Sequence, residues 1–458
     1  MKIRYSLILV LAFQAMFSFL TVEAKNRPSE QSFVEQSPLN RSSQQLSVIQ
    51  WQQDADKLLT SIRNFHPNPW RSISENTFKT HLEQIVSASQ SNTRAQTMIS
   101  LIAAVSMITQ AGGDGHTRLS PFQQATQFNL FPLRFYTFSD GVYITETDDN
   151  NQSLVGQKIN TIAGVSIEKV FEKVTAYISN ESPNSIKSLT PSYSIISELL
   201  AALNISKGNE INIVTQSSVG KLITTKLHAI SLERYKAMFR HALDSPLLPV
   251  NESSAPYLRK VVSEKYWYQI SDDKTLYLQY NTVNEENNGQ SFSDFIAEIE
   301  IEIKKQQVES LIVDVRSNSG GKYDYKNSHR IYAPFFDMMN HFNAEQREVS
   351  IYALIGRATI SIAANFIFEM DKKTQAVFIG EAMGGSSSYY GEPERITLPN
   401  SKLKVIIATR YRTTAGIANP DINAIPDYLI ELSAEQYFSK SDPVLIKALE
   451  LIELNSFD

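Results

Sequence analysis

Residues 310–321, SLIVDVRSNSGG, decide how the second half of the chain reads. Leu311, Ile312 and Val313 are consecutive apolar residues, so a strand here is buried on both faces, and burial on both faces calls for helices on either side of a sheet. The run closes on polar residues and the pair Gly320-Gly321. Glycines at a strand end let the backbone turn tightly and present N–H groups to a ligand, the arrangement an oxyanion hole requires. An ordinary strand-to-helix turn accounts for the same residues, so this stretch alone does not assign a function.

The neighbours of that strand alternate in the same sense. Residues 275–283, TLYLQYNTV, read as a strand, and 291–307 as a helix capped near Ser291 or Ser293. A helical stretch across 327–343 follows, then a strand at 349–357, a helix over SIAANFIFEMDKK and a strand in QAVFIGE. Regular alternation means an α/β domain with a mostly parallel sheet whose functional groups lie at the carboxyl ends of the strands. Residues 315–321, 357–362 and 380–388 are therefore the expected site loops.

Upstream the texture changes. From Val48 to about Gln110 the apolar spacing is helical, with Trp51, Ala55, Leu58, Leu59 and Ile62 on one face. That region stops at QAGGDGHTRLSP, residues 110–121, where Gly112, Gly113 and Gly115 surround His116. Between about 127 and 230 short strands and turns dominate, with a hairpin expected at Ser139-Asp140-Gly141 and a strand, turn and helix in LVGQKINTIAGVSIEKV.

The first 24 residues differ again: Lys2 and Arg4 precede an apolar run to about Leu20, and Val22-Glu23-Ala24 forms a small-residue cleavage pattern. A secretory signal at 1–24 and a polar, flexible leader at 25–44 are expected, and with them an exported protein, periplasmic or secreted, without a stable membrane anchor after cleavage. The chain has no cysteine, hence no disulfide, no thiolate metal site and no thiol nucleophile. A net charge of −5 argues against nucleic acid as a partner.

A second candidate loop is IGRATISIAANF, 355–366, where Ser361 stands between a strand and an apolar helix. A serine at a helix N-terminus sits in the field of unpaired N–H groups; Thr359 or Ser361 as a plain N-cap fits equally well. No G-x-S-x-G elbow is present.

Taken in order, LIVDVRSNSGG, IYALIGRATISIAANF, VFIGEAMGGSSSYYGE, ITLPNSKLKV and SAEQYFSKSDPVLIKALELI resemble the S41 family of serine peptidases, which includes the C-terminal processing proteases and the tricorn core protease. GGDGHTRL is similar to the N-terminal region of exported members, and LVGQKINTIAGVSIEKV to a degenerate PDZ-like module. The resemblance implies a β-α superhelix of the ClpP/crotonase type over 263–458, preceded by a helical domain at 45–122 and a β-rich, PDZ-like module at 123–262. It implies an acyl-enzyme serine endopeptidase acting on polypeptides, with Ser361 as nucleophile, the N–H of Ile362 and of Gly320 or Gly321 as the oxyanion hole, and neither cofactor nor metal.

An unassisted serine hydroxyl is a poor nucleophile and needs a base. The processing proteases place a lysine where this chain has Ser386. Lys372 and Lys373 follow too far along the helix, roughly 16 Å at about 1.5 Å per residue, and Lys322 lies in a polar loop. In the tricorn-like branch a histidine supplies the base, and DGHT resembles its motif, which points to His116. Family members carry an acid shortly before the final Pro-Asp pair, here Pro426-Asp427, and Asp421 is the nearest match; Asp114 reads as a cap of the turn. Two other classes stay open at this point: a non-catalytic ligand-binding protein on the same fold, and a hydrolase of small esters or amides.

Overall fold

The structure is a computed structural model, and it describes residues 45–239, 264–271, 273–321, 331–413 and 426–455. The signal and leader, Lys322 and Asp421 lie outside the described residues. Three helices open the described chain: α1 (Val48–Phe65), α2 (Glu75–Ala88) and α3 (Arg94–Thr109). Ser47 and Thr93 start α1 and α3 with reciprocal capping boxes to Gln50 and Gln96, which satisfies N–H groups the first turn leaves without acceptors. Helix α3 is apolar around most of its circumference, with Met98, Ile99, Leu101, Ile102, Val105 and Ile108 buried. A helix of that kind belongs in a core, and it delivers the chain directly into the glycine loop that bears His116.

An antiparallel sheet follows, ordered β1 (Leu133–Phe138), β2 (Gly141–Thr147), β3 (Lys158–Ile162), β4 (Glu210–Gln216) and β5 (Leu222–His228), with the short strand Val165–Ser166 paired to β3. Helices α4 (Ile167–Thr175) and α5 (Pro183–Tyr193) lie between β3 and β4 in sequence. The three helices and this sheet share one hydrophobic core. Leu398, Leu403, Val405 and Ile407, from a hairpin late in the chain, complete it. Asp54, fully buried on α1, receives the Asn400 and Ser401 N–H groups at 2.8 Å each and locks that hairpin in place.

The last part is a second sheet. Strand β6 (Tyr266–Ile270) pairs antiparallel with β7 (Thr275–Tyr280); β8 (Ser310–Asp314), β9 (Ser350–Ile355), β10 (Val377–Gly380) and, further along the chain, Tyr428–Leu429 add in parallel. The alternation along β8 explains its two-sided apolarity. Leu311 and Val313 enter a core shared with the helices α6 (Phe292–Gln306), α7 (Ala333–Ala344) and α8 (Ile362–Lys373), while Ile312 enters a smaller core against α9 (Pro443–Asn455). The loops expected to be functional all leave the carboxyl ends of β8, β9 and β10. Of the helical stretch expected across 327–343, the described residues show Ile331 in helical conformation and the helix α7 over Ala333–Ala344.

Candidate active site

Between β9 and α8 the chain is held by its own polar groups. The Thr359 hydroxyl, fully buried, donates to the Val315 carbonyl at 2.8 Å and accepts the Gly356 N–H at 3.2 Å. Arg357 forks onto Glu381 at 2.6 and 2.5 Å and donates to the Thr137 carbonyl at 2.8 Å. Burial acts to lower the Arg357 pKa, but Tyr136 and Glu381 beside it outweigh that and the net shift is upward. So braced, the loop presents Ser361 with φ 58° and ψ −134°, a left-handed conformation that costs a non-glycine residue about 1–3 kcal/mol.

Ser361 precedes the first residue of α8, yet its side chain makes no capping hydrogen bond. The hydroxyl points elsewhere: His116 Nε2 is 3.0 Å from Ser361 Oγ. The plain N-cap reading of Ser361 is thereby excluded, and strain at a residue whose hydroxyl is withheld from its own helix is the kind of outlier that marks function.

Gly320 and Gly321 lie against the same serine. A Cβ on Gly320, where φ is +102°, would stand 3.0 Å from Ser361 Cβ, and one on Gly321 would stand 1.8 Å from the Val283 carbonyl oxygen. Only glycine fits at either position. The Gly320 N–H donates to Asn318 Oδ1 at 3.0 Å, whereas the Gly321 N–H has no acceptor among the described residues. Asn318 is fully buried and also donates to the Tyr280 carbonyl at 2.8 Å, which ties the loop to β7. At the start of α8 the Ile362 N–H has no intrahelical acceptor, as at any helix N-terminus.

His116 sits on a loop that is pinned at several points. Asp114, fully buried, accepts the Thr117 N–H on one oxygen at 2.8 Å and faces His66 Nε2 with the other at 2.9 Å. Since the Asn68 N–H donates to His66 Nδ1 at 3.1 Å, the His66 proton is on Nε2 and donates to Asp114. His66 stacks on Tyr390 at 4.9 Å between ring centroids, and Tyr389 flanks the His116 ring at 5.7 Å. The Tyr390 N–H donates to the Gly113 carbonyl at 2.7 Å.

One acidic side chain approaches His116 from the other side. Glu181 Oε2 lies 3.4 Å from His116 Nδ1, with the two side chains 4% and 16% exposed, and it accepts the Gly115 N–H at 3.2 Å. Nothing in the surrounding sequence, ISNESPNS, marks this glutamate; its proximity arises only from folding. Ser386, at the position where the resemblance puts a lysine, is buried and its hydroxyl donates to the Glu181 carbonyl at 3.4 Å. Asp427 accepts the Phe378 N–H at 2.8 Å and so secures the edge of the sheet.

The sequence model of peptidase family S41 matches residues 274–428, the span that holds β7 to β10 and Ser361. The chain carries an S41 peptidase domain. With that domain it is a serine peptidase. Similar solved structures include mature CPAF complexed with lactacystin, 12% identical, covering 90% of this chain and 99% of that one with a TM-score of 0.60. Another structure of mature CPAF is 12% identical and covers 87% and 96% of the two chains with a TM-score of 0.56. These establish likeness of fold. The tricorn protease is 13% identical over 90% of this chain and 37% of its own, with a TM-score of 0.38, too low to bear on the architecture. No curated protein matches the sequence. The S41 match leaves out His116 and Glu181, both of which precede it.

Proposed function

We propose that the chain is an exported S41 endopeptidase that hydrolyses peptide bonds through an acyl-enzyme on Ser361, with His116 as general base. The observation that carries this reading is the 3.0 Å approach of His116 Nε2 to a serine hydroxyl whose backbone is strained and whose own helix it does not cap. As Ser361 Oγ attacks the scissile carbonyl, its proton passes to Nε2, which returns it to the leaving amine; water then releases the acyl group by the same route. The Gly321 and Ile362 N–H groups serve as the oxyanion hole, and Gly320 contributes the close approach rather than a free donor.

The finer architecture belongs to the same proposal. Residues 263–458 form a ClpP/crotonase-type β-α superhelix, 123–262 a PDZ-like module and 45–122 a helical domain. The β-strand, turn and helix at Lys158–Ile162, 163–164 and Ile167–Thr175 support the PDZ-like assignment. Export rests on the signal-like pattern of residues 1–24.

The test is covalent labelling by a fluorophosphonate probe. Wild type labels, and Ser361→Ala and His116→Ala do not. Undiminished labelling of Ser361→Ala would sink the assignment; ester cleavage without any peptide cleavage by the wild type would restrict the activity to small substrates.

A further inference from the structure

We propose that Glu181 is the positioning residue of the Ser361–His116 pair, fixing the imidazole in the tautomer that accepts the serine proton; this rests on the catalytic reading above. To accept from Ser361, Nε2 must carry no proton, so Nδ1 carries it. The His116 Nδ1 is buried and has no hydrogen-bond partner among the described residues, and a buried donor left so is costly. Glu181 Oε2 stands in front of it at 3.4 Å, an approach that a shift of a few tenths of an ångström turns into a hydrogen bond. Catalytic hydrogen bonds commonly tighten in this way when substrate binds.

Among the described residues, Asp114 and Glu392 are engaged elsewhere. Both oxygens of Asp114 are taken, by the Thr117 N–H and by His66, and Glu392 faces Arg410 and Arg412. Glu181 by contrast keeps Oε1 buried without a hydrogen-bond partner among the described residues. Its backbone is stitched to both halves of the site. The Glu181 carbonyl accepts the Gly113 N–H at 2.8 Å, the Asn180 carbonyl accepts the Asp114 N–H at 2.9 Å, and the Ser182 hydroxyl donates to the Gly384 carbonyl at 2.7 Å. Gly115 leaves room for the carboxylate: a Cβ there would lie 2.7 Å from Glu181 Oε2 and 3.0 Å from Glu181 Cβ. A negative charge at Nδ1 also stabilises the imidazolium formed when Ser361 gives up its proton.

Glu181→Gln removes the negative charge. Because Oε2 faces both the Gly115 N–H and Nδ1, an amide oxygen in its place keeps the acceptor without the charge, and an amide NH₂ in its place opposes both donors and favours the wrong tautomer. The experiment measures the second-order rate of fluorophosphonate labelling across pH in the full chain for Glu181→Gln, Glu181→Asp, Gly115→Ala, Asp421→Asn and Ser361→Ala. Glu181→Gln is expected to label about 10²- to 10⁴-fold more slowly across the pH range, Glu181→Asp to recover much of the rate, and Asp421→Asn to stay near wild type. Gly115→Ala, which displaces the carboxylate without altering it, reproduces the loss and carries the test if Glu181→Gln does not fold. Glu181→Gln and Gly115→Ala rates within threefold of wild type, or a loss confined to Asp421→Asn, overturn the proposal while Ser361→Ala still abolishes labelling. Labelling that persists in Ser361→Ala instead removes the catalytic reading on which it rests.

Discussion

Two loops meet at the candidate site, and they are built by different physics. The Ser361 side is made at the carboxyl ends of parallel strands within one sheet, where the buried Thr359 and Asn318 and the pair of glycines hold backbone against backbone. The His116 side is made where a helix runs out, and its shape comes from side chains: the buried His66–Asp114 pair, the stacked Tyr390 and the Glu181 carboxylate. A site of this kind gets its rigidity from a sheet and its base from a polar cluster, so the two halves should fail in different ways when altered.

The largest contrast concerns the pair that joins the halves. Ser361→Ala and His116→Ala should each lower kcat by about 10⁵- to 10⁶-fold, and the double variant should be no worse than either, because residues that act as a unit are not additive; measured additivity would separate the two roles. Next comes the sheet side. Arg316, 9% exposed, bridges Asp314 and Asp442, which are 2% and 4% exposed. Burial acts to lower the Arg316 pKa, but the two carboxylates hold it well above its ordinary value. Arg316→Met leaves both acids without their cation and should cost about 3–5 kcal/mol in urea denaturation.

A smaller loss is expected from Gly321→Ala, whose added carbon would meet the Val283 carbonyl. Displacing one oxyanion donor lowers kcat by about 10²- to 10³-fold, and a KM that stays constant would show that binding is intact. The smallest effect should be Ser386→Ala, which removes the 3.4 Å hydrogen bond to the Glu181 carbonyl; about 0.5–1.5 kcal/mol of stability and a few-fold change in kcat are expected. A loss as large as that of His116→Ala would instead give Ser386 a direct part in the chemistry.

The same division explains what could be read beforehand. The alternation of strands and helices over Ser310–Asp314, Ser350–Ile355 and Val377–Gly380 was legible because these strands are largely apolar runs separated by helices, whereas the short strands Glu394–Thr397 and Arg410–Thr413 carry charged residues and gave no such signal. Both members of the 3.0 Å pair stand in stretches singled out beforehand, IGRATISIAANF and DGHT, so the sequence pointed to each. The Glu181 carboxylate had no such signal. It lies in a polar connection between α4 and α5, and only pairing of 180–182 with the His116 loop brings it to the ring. Nor could the shared core be foreseen in which the helices, the first sheet and the late hairpin around Leu398–Ile407 are packed together, since contacts between distant segments leave no periodic trace.

The 245-position distance in sequence from His116 to Ser361 carries a last consequence. A chain still being made holds the imidazole long before the hydroxyl exists beside it. Until the late hairpin has docked on α1 and the strand ends have closed, the histidine has nothing to deprotonate. If Ser361 and His116 act as proposed, completion of the tertiary structure is itself the safety catch, and a partly folded copy is inert towards its neighbours without needing an inhibitor.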